Sequence, residues 1–215
     1  MDMITAAIGS ARIGRANGRR IRQSGAWGVR FPPVAALGFH VLLSGEGWLI
    51  TAAQEPARVR AGDIVFTAAG TDHGLAHAPC RLGDLLPIEL GEFPPADGPC
   101  DCEFLCAAYA MDPGRAPAQL RHLPGVTALT PDGDPGLRAV VEMLRADLTS
   151  PGPGTEAGRS ALLDLMIVHI LRQLRADWPL SAAARRVGYA TEFAFAAAFR
   201  RRHGVPPGRF RSSAA

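Results

Sequence analysis

Short apolar segments separated by glycine-containing turns run through the first half of this 215-residue chain and limit the folds open to it. Turn sequences such as Ser44-Gly-Glu-Gly and Ala61-Gly-Asp lie between them. Many short strands at a spacing of about eight to twelve residues predict a β-sandwich or a small β-barrel. The predicted strands are Trp27–Phe31, Gly38–Leu43, Gly47–Thr51, Ala57–Arg60, Asp63–Thr67 and Phe104–Tyr109.

From Asp134 onward the apolar spacing becomes helical. The apolar positions of a first amphipathic helix are Leu137, Val140, Val141, Leu144 and Leu148. A Pro151-Gly-Pro-Gly turn follows, and a longer helix is predicted from Thr155 to about Ala176. The chain is therefore predicted to be α+β, with a β-barrel followed by an antiparallel helical pair.

The last forty residues predict a helix, a tight turn and a second helix. Gly188 ends the first helix, and Thr191 is placed as the N-cap of the second, with Glu192 in its first turn. Gly204 ends the second helix, and Pro206-Pro207 prevents its continuation. This arrangement is typical of a DNA-binding helix-turn-helix, although an ordinary amphipathic hairpin with a solvated basic end fits the spacing equally well.

Charge is unevenly distributed along the chain. From Arg172 to Arg211 there are nine arginines against Asp177 and Glu192, which gives a local net charge of +7. The residues before Arg172 carry a net charge of −4, so the overall charge of +3 conceals a basic end on an acidic body. Segregated positive charge of this kind indicates a phosphate-binding surface.

The C-terminal segment resembles the second helix-turn-helix of the AraC/XylS family of transcriptional regulators. The residues that carry the resemblance are Ala184–Tyr189, Thr191–Phe195, Phe199–Arg201 and Gly204–Arg211. The resemblance implies binding to double-stranded DNA. The predicted DNA-binding residues are Thr191, Glu192, Arg200, Arg201, Arg202, Arg209 and Arg211.

Two departures from the family pattern reduce the expected sequence specificity. The resemblance implies a DNA-binding region of two such units joined by a long helix. Here Leu180 already belongs to the second unit, so the first unit is predicted to be absent. Positions at which relatives project polar side chains into the major groove match Glu192, Phe193, Ala196 and Ala197. Direct readout needs hydrogen-bonding side chains, and arginine contacts to phosphates carry no sequence information. We expect weak, salt-sensitive and poorly specific DNA binding.

The preceding body resembles the cupin-type sensory domain of many AraC-family regulators. The resemblance implies a barrel that senses a ligand, metal or oxidant, and a helical pair that mediates dimerisation. It predicts a cupin-like barrel at 1–130, the helical pair at 131–177 and a single helix-turn-helix at 178–215. The matching residues are Trp27–Phe31, Phe39–Val41 with Gly45, Trp48-Leu, Ala61–Val65, His73, Cys106 with Tyr109, and Leu123-Pro124.

Histidine and cysteine residues in the predicted barrel could bind a soft metal such as Zn²⁺ or Cu⁺, or respond to oxidation. Cys100, Cys102 and Cys106 would point to the same face of one strand. However, the stretch from His40 to Glu46 lacks the second histidine of a cupin-enzyme pattern. A buried cysteine is more often a small core residue, and a lone histidine is more often a hydrogen-bonded core or rim residue. The candidate metal or redox residues are His40, His73, His77, Cys80, Cys102 and Cys106.

No nucleophile–base pair, carboxylate pair or phosphate-binding glycine loop has recognisable spacing, so the sequence predicts no catalytic residues and no enzyme. It predicts a DNA-binding regulator that acts as a homodimer, or as a heterodimer with a full-length relative, and responds to an unknown small-molecule effector. The alternative is a cupin sensor or interaction protein that has lost DNA reading. A third hypothesis, a metal-dependent cupin enzyme, has weaker support because its ligand pattern is incomplete.

Without a signal-peptide pattern or a membrane span, a soluble cytoplasmic protein is expected. Arg19 and Arg20 are expected in a mobile, solvated N-terminus.

Overall fold

Nine β-strands and four α-helices are defined in the part of the chain that the computed structural model describes. The described residues are 17–33, 36–68, 71–88, 99–110, 123–150, 152–176, 180, 184 and 187–213. The chain divides into two compact units, Met1–Ile170 and Leu171–Ala215. Among the described helices, none has the length and apolar character needed to cross a membrane. The domain boundaries predicted near residues 130 and 177 stay a prediction.

The first unit contains two antiparallel sheets that form a cupin-like sandwich. The five-stranded sheet has the order β1-β8-β3-β6-β9, and the four-stranded sheet has the order β2-β7-β4-β5. The strands are β1 (Asn17–Gln23), β2 (Gly28–Phe31), β3 (Ala36–Ser44), β4 (Glu46–Ile50), β5 (Ala57–Arg60), β6 (Ile64–Thr67), β7 (His73–Ala76), β8 (Cys102–Ala110) and β9 (Val126–Leu129). The predicted α+β class with a cupin-like β-structure is confirmed.

The core of the sandwich is built from residues that alternate along the strands. Side chains of successive strand residues point to opposite faces, so every second residue enters the core. Leu42 of β3 and Phe104 of β8 are partners in register, and both are almost fully buried. The main cluster consists of Ile21, Trp27, Phe31, Leu42, Leu49, Val59, Val65, Leu75, Ile88, Cys102, Phe104 and Val126.

Two helices follow the sandwich as an antiparallel pair, α1 (Pro135–Thr149) and α2 (Thr155–Ala176). The side chain of Asp134 caps α1 by accepting a hydrogen bond from the Leu137 amide, and it also binds His169 of α2 at 2.9 Å. At the other end Arg159 of α2 binds Asp147 of α1 at 3.1 Å. The start of each helix is thus tied to the end of the other.

The expectation of a mobile N-terminus around Arg19 and Arg20 is wrong. Both residues lie in β1, which pairs along its whole length with β8. Arg20 forms an ion pair with the buried carboxylate of Glu103 and reaches the Leu148 carbonyl oxygen at the end of α1. The basic side chain is therefore a structural link between β1, β8 and α1. Strands β7 and β9 were also not predicted.

Gly45 and Gly62 provide a matched test of the sandwich. Both have positive φ, +75° and +94°, a conformation that costs other residues about 1–2 kcal/mol. A Cβ at Gly45 would overlap the Asp101 carbonyl oxygen, whereas a Cβ at Gly62 would meet open space.

We therefore expect Gly62→Ala to lower the free energy of unfolding by about 1–2 kcal/mol, and Gly45→Ala to lower it by considerably more. Urea unfolding followed by circular dichroism measures both. Equal losses in the two variants would contradict the close packing of β3 and β4 against the start of β8.

Candidate functional site

A row of polar side chains, two buried imidazoles and a partly buried thiol, crosses the interior of the sandwich. His40 of β3 lies opposite Cys106 of β8 in register, and its Nδ1 is 2.8 Å from the Cys106 Sγ. The Nε2 of His40 is 2.7 Å from the Nε2 of His73, which belongs to β7 in the opposing sheet. The two imidazoles are only 6% and 4% exposed. These three predicted residues thus form a connected cluster between the two sheets, which we call the His–Cys cluster.

The aromatic ring of Phe31 completes the His–Cys cluster. Phe31 of β2 lies opposite His73 in register, and its ring centroid is 4.2 Å from that of His40 and 5.1 Å from that of His73. Sequence reasoning assigned Phe31 only to a strand. No sequence signal placed it beside the histidines, because the contact depends on the antiparallel register of β2 and β7.

Burial decides the protonation of the His–Cys cluster. It lowers the pKa of His40 well below its usual range, with a contribution from neighbouring His73, and it lowers the pKa of His73. Burial also raises the pKa of the Cys106 thiol well above its usual value, against the opposing effect of Arg19. Both imidazoles are therefore neutral and the thiol is protonated near neutral pH.

These protonation states give the hydrogen bonds one consistent direction. The Thr71 carbonyl oxygen can only accept, so the His73 Nδ1, at 2.9 Å, donates to it. The unprotonated His73 Nε2 then accepts from His40 Nε2, which leaves His40 Nδ1 as the acceptor of the Cys106 S–H. Each polar side-chain atom of the His–Cys cluster thus has a hydrogen-bond partner within the barrel.

The remaining residues of the predicted metal or redox set lie elsewhere. His77 is exposed and its Nδ1 donates to the Trp27 carbonyl oxygen at 2.7 Å. Cys80 packs against a separate apolar cluster that contains Ile50 and Leu82. Cys102 is fully buried four residues from Cys106, about 13 Å along an extended strand. Burial raises the pKa of Cys102 to about 12, so it is a core thiol.

The His–Cys cluster, as arranged, does not fit a resident metal centre. His73 and Cys106 contact opposite nitrogens of His40, so one ion cannot bind all three side chains in these conformations. Across the described ranges, no group of three or more histidine, cysteine or acidic side chains is placed to hold a metal ion. The Zn²⁺ or Cu⁺ expectation would require His40 to rotate, and it stays a prediction. All four cysteines are free thiols.

The described part of the second unit has the predicted turn, N-cap and second helix. Gly188 has a φ of +86°, and Thr191 caps α3 (Glu192–His203) by accepting a hydrogen bond from the Ala194 amide at 3.2 Å. Gly204 ends α3 with a φ of +78°, and α4 (Pro207–Ser213) follows. Of the preceding helix, the structure describes only Leu180 and Ala184, both helical, with Ala184 fully buried.

Aromatic rings hold this small unit together. Phe195 lies 5.8 Å from Tyr189 and 5.6 Å from Phe199, measured between ring centroids. Phe199 also contacts Phe210 of α4 at 5.4 Å and His203 at 4.3 Å. One face of α3 is therefore used for packing, as the spacing of Phe195 and Phe199 predicted.

Of the predicted DNA-binding arginines of α3, Arg200 and Arg201 lie on the face opposite Phe195, whereas Arg202, seven residues from Phe195, lies towards the packing side. Arg200, Arg201 and Arg202 in the last turn of α3 are exposed, as is Arg209 of α4. Glu192 is partly exposed in the first turn of α3. Arg211 lies in α4, but its side chain is outside the described residues. The arrangement presents several guanidinium groups from one small unit.

Comparison with known proteins identifies the family. A model of the cupin family, described as Cupin, matches residues 2–176. This chain therefore belongs to the cupin family.

The chain is also 28% identical over 179 residues to the HTH-type transcriptional regulator MtrA of Neisseria gonorrhoeae. The match covers 80% of this chain and 58% of MtrA. The chain thus spans less than two thirds of this relative. The predicted resemblance to an AraC-type regulator with an N-terminal cupin domain is supported by both matches.

Two solved structures show looser similarity. Apo ToxT from Vibrio cholerae is 10% identical, with a TM-score of 0.41, over 92% of this chain and 97% of that one. A cupin protein from Bacteroides fragilis is 16% identical, with a TM-score of 0.29, over 46% of this chain and 68% of that one. At these scores the overlaps add nothing to the assignment made from the sequence matches.

The lowered pKa values of His40 and His73 predict a specific loss of stability in mild acid. The unfolded chain takes up protons near pH 6.5, the ordinary value, whereas the folded barrel resists them. Stability contributed by the neutral imidazoles is complete above that value and is lost as the pH falls below it. The charged neighbours Arg19 and Asp72 act in opposite directions, Arg19 disfavouring and Asp72 favouring a protonated cluster.

We expect the urea midpoint to fall between about pH 7 and pH 5, with a smaller fall in His40→Gln. His77→Gln, which changes an exposed histidine, is the matched control and should retain the wild-type pH dependence. An unchanged midpoint across this range in the wild type would contradict the neutral, buried state of the cluster.

Proposed function

We propose that this protein is a cytoplasmic transcriptional regulator of the AraC type, in which a cupin effector domain precedes a single helix-turn-helix that binds double-stranded DNA weakly. The observation that carries the proposal is the surface of α3. Packing through Phe195 and Phe199 leaves the other face of this capped helix exposed, with Arg200 and Arg201 at its end. The name of the relative MtrA, an HTH-type transcriptional regulator, agrees with this role.

Electrostatics supports DNA as the partner. The segment from Arg172 to Arg211 has a net charge of +7, and the exposed arginines of α3 and α4 belong to it. Guanidinium groups form bidentate hydrogen bonds to phosphate, and their binding releases counterions from the duplex. Such contacts give affinity and position on DNA without discriminating between sequences.

The His–Cys cluster is the proposed place at which the cupin domain receives its effector. The cluster links the two sheets through hydrogen bonds, so a molecule that competes for these hydrogen bonds would affect both sheets at once. The raised pKa of Cys106 disfavours the thiolate that oxidation requires. We therefore favour a small-molecule effector over an oxidant.

Dimerisation through the helical pair would compensate for the single DNA-binding unit. Met143 of α1 and Leu165 of α2 are exposed, at 45% and 40%, and are the apolar side chains of the pair that such an interface would cover. Two copies, or one copy with a full-length relative, would bring two helix-turn-helix units to one DNA site.

A second candidate function is a sensor or interaction protein that has lost DNA reading. The exposed face of α3 favours it in one respect, because Phe193 and Ala197 offer no hydrogen-bonding groups to base edges. The same DNA-binding experiment separates the two candidates.

Replacing both Arg200 and Arg201 by alanine should weaken binding to every duplex by the same factor. The slope of log affinity against log salt should fall by about 0.9 for each phosphate that the variant no longer neutralises. Fluorescence anisotropy across a salt series, with duplexes of unrelated sequence, measures both quantities.

Arg58→Ala is the matched control, because Arg58 is an exposed arginine of β5 whose surface pair with Glu46 contributes little stability. Its DNA affinity should equal that of the wild type. Absence of binding by the wild type at low salt would favour the interaction protein, and equal losses in Arg58→Ala would remove the α3 surface from the proposal.

An effector bound at the His–Cys cluster should raise the thermal midpoint of the wild type and fail to do so in His73→Gln. The probes are a small-molecule panel and, in separate titrations, Zn²⁺ and reduced copper. The metals are tested separately because their binding would require His40 to rotate. The ligand-dependent change in Tm is compared within each variant, so a lower starting stability does not affect the result. His77→Gln should respond like the wild type; an equal response in His73→Gln would place the effector elsewhere.

A further inference from the structure

The exposed face of α3 has two chemically different halves. Phe193 is 80% exposed, and Ala197, one turn further on, is also exposed. Arg200 and Arg201 follow at three and four residues from Ala197, which places all four side chains on one stripe of the helix. The N-terminal half of this stripe is therefore apolar, and its C-terminal half is basic.

The stripe is not needed to fold the unit. The aromatic contacts that hold α3 against its neighbours come from Phe195 and Phe199 on the other face. Exposing a side chain as large as Phe193 leaves its apolar surface in water, at a cost of about 1.5–3 kcal/mol relative to burial. An exposed phenylalanine next to a pair of arginines is suited to a partner that offers both apolar and anionic groups.

Double-stranded DNA offers both kinds of group. Its phosphates border the major groove, and the C5-methyl group of thymine is the apolar feature that base edges present there. A helix that enters the groove with arginines on the backbone brings its other exposed side chains to the base edges. For α3 those side chains are Phe193 and Ala197.

We propose that Phe193 and Ala197 read thymine methyl groups in the major groove while Arg200 and Arg201 bind the adjacent phosphates. The proposal rests on DNA binding by this unit, as proposed above, and gives that binding a preference for thymine-rich sites. The discrimination comes from burial of methyl groups and is therefore modest, about fourfold for each methyl contact.

The test compares a randomised duplex pool made with thymidine and the same pool made with deoxyuridine, which lacks only the C5-methyl group. Full-length protein is titrated into each pool at one salt concentration, with anisotropy as the readout. We expect the wild type to bind the thymidine pool severalfold more tightly. In Phe193→Ala the ratio of the two affinities should fall towards one, and the salt slope should not change.

Val187→Ala is the matched control, because Val187 is a 57% exposed apolar residue in the turn before α3 and lies outside the stripe. It should retain the wild-type ratio, and so should the Arg200 and Arg201 double variant, which lowers both affinities together. Circular dichroism shows whether each variant retains its helices.

Three results would overturn the proposal. Equal wild-type affinity for both pools would show DNA binding without methyl reading, and the proposed function would stand. An unchanged ratio in Phe193→Ala, with the oligomeric state also unchanged, would assign the discrimination to duplex shape. A change of oligomeric state in Phe193→Ala, with no change in the ratio, would assign the stripe to contact between protein chains. Binding to neither pool would instead refute the proposed function itself.

Discussion

The register of strand β3 is the constraint on which both the sandwich core and the His–Cys cluster depend. β3 lies between β8 and β6, which places His40 opposite Cys106 on one side and Val65 on the other. Because side chains alternate, a slip of one residue would turn His40 outward and direct Phe39 and Val41 into the core. Phe39 and Val41 are themselves fully buried on the opposite face, so the slip would disrupt packing on both faces of the sheet.

The second unit separates its folding surface from its proposed DNA surface on a single helix. Tyr189, Phe195, Phe199 and Phe210 contact one another on one face of α3, and this packing sets the direction of the opposite face. Such a unit has a small core and depends strongly on its caps and aromatic contacts. Residues of the proposed DNA surface, such as the exposed Phe193 and Ala197, can therefore change without loss of the fold.

Local sequence predicted the elements whose signals are periodic or marked by caps. The helix from Thr155 to Ala176 and the cap at Thr191 are confirmed, because apolar spacing and capping chemistry act within a few residues. Strand β7, four residues that begin at His73, has no such signal, since all four are buried and do not alternate. Strand β1 was missed because its arginines indicated a segment exposed to solvent. In the structure, Arg20 is paired with Glu103, which is 83 residues away in sequence.

The sequence by itself determined the class of fold, the helical pair, the basic C-terminal unit and the set of histidines and cysteines available for a site. Only the tertiary structure decided that His40, His73 and Cys106 meet while His77, Cys80 and Cys102 do not. The physical reason is that composition and periodicity act locally, whereas the meeting of side chains from β3, β7 and β8 depends on strand register and on the packing of one sheet against the other. Burial in that interior also set their protonation, which no spacing in the chain reveals.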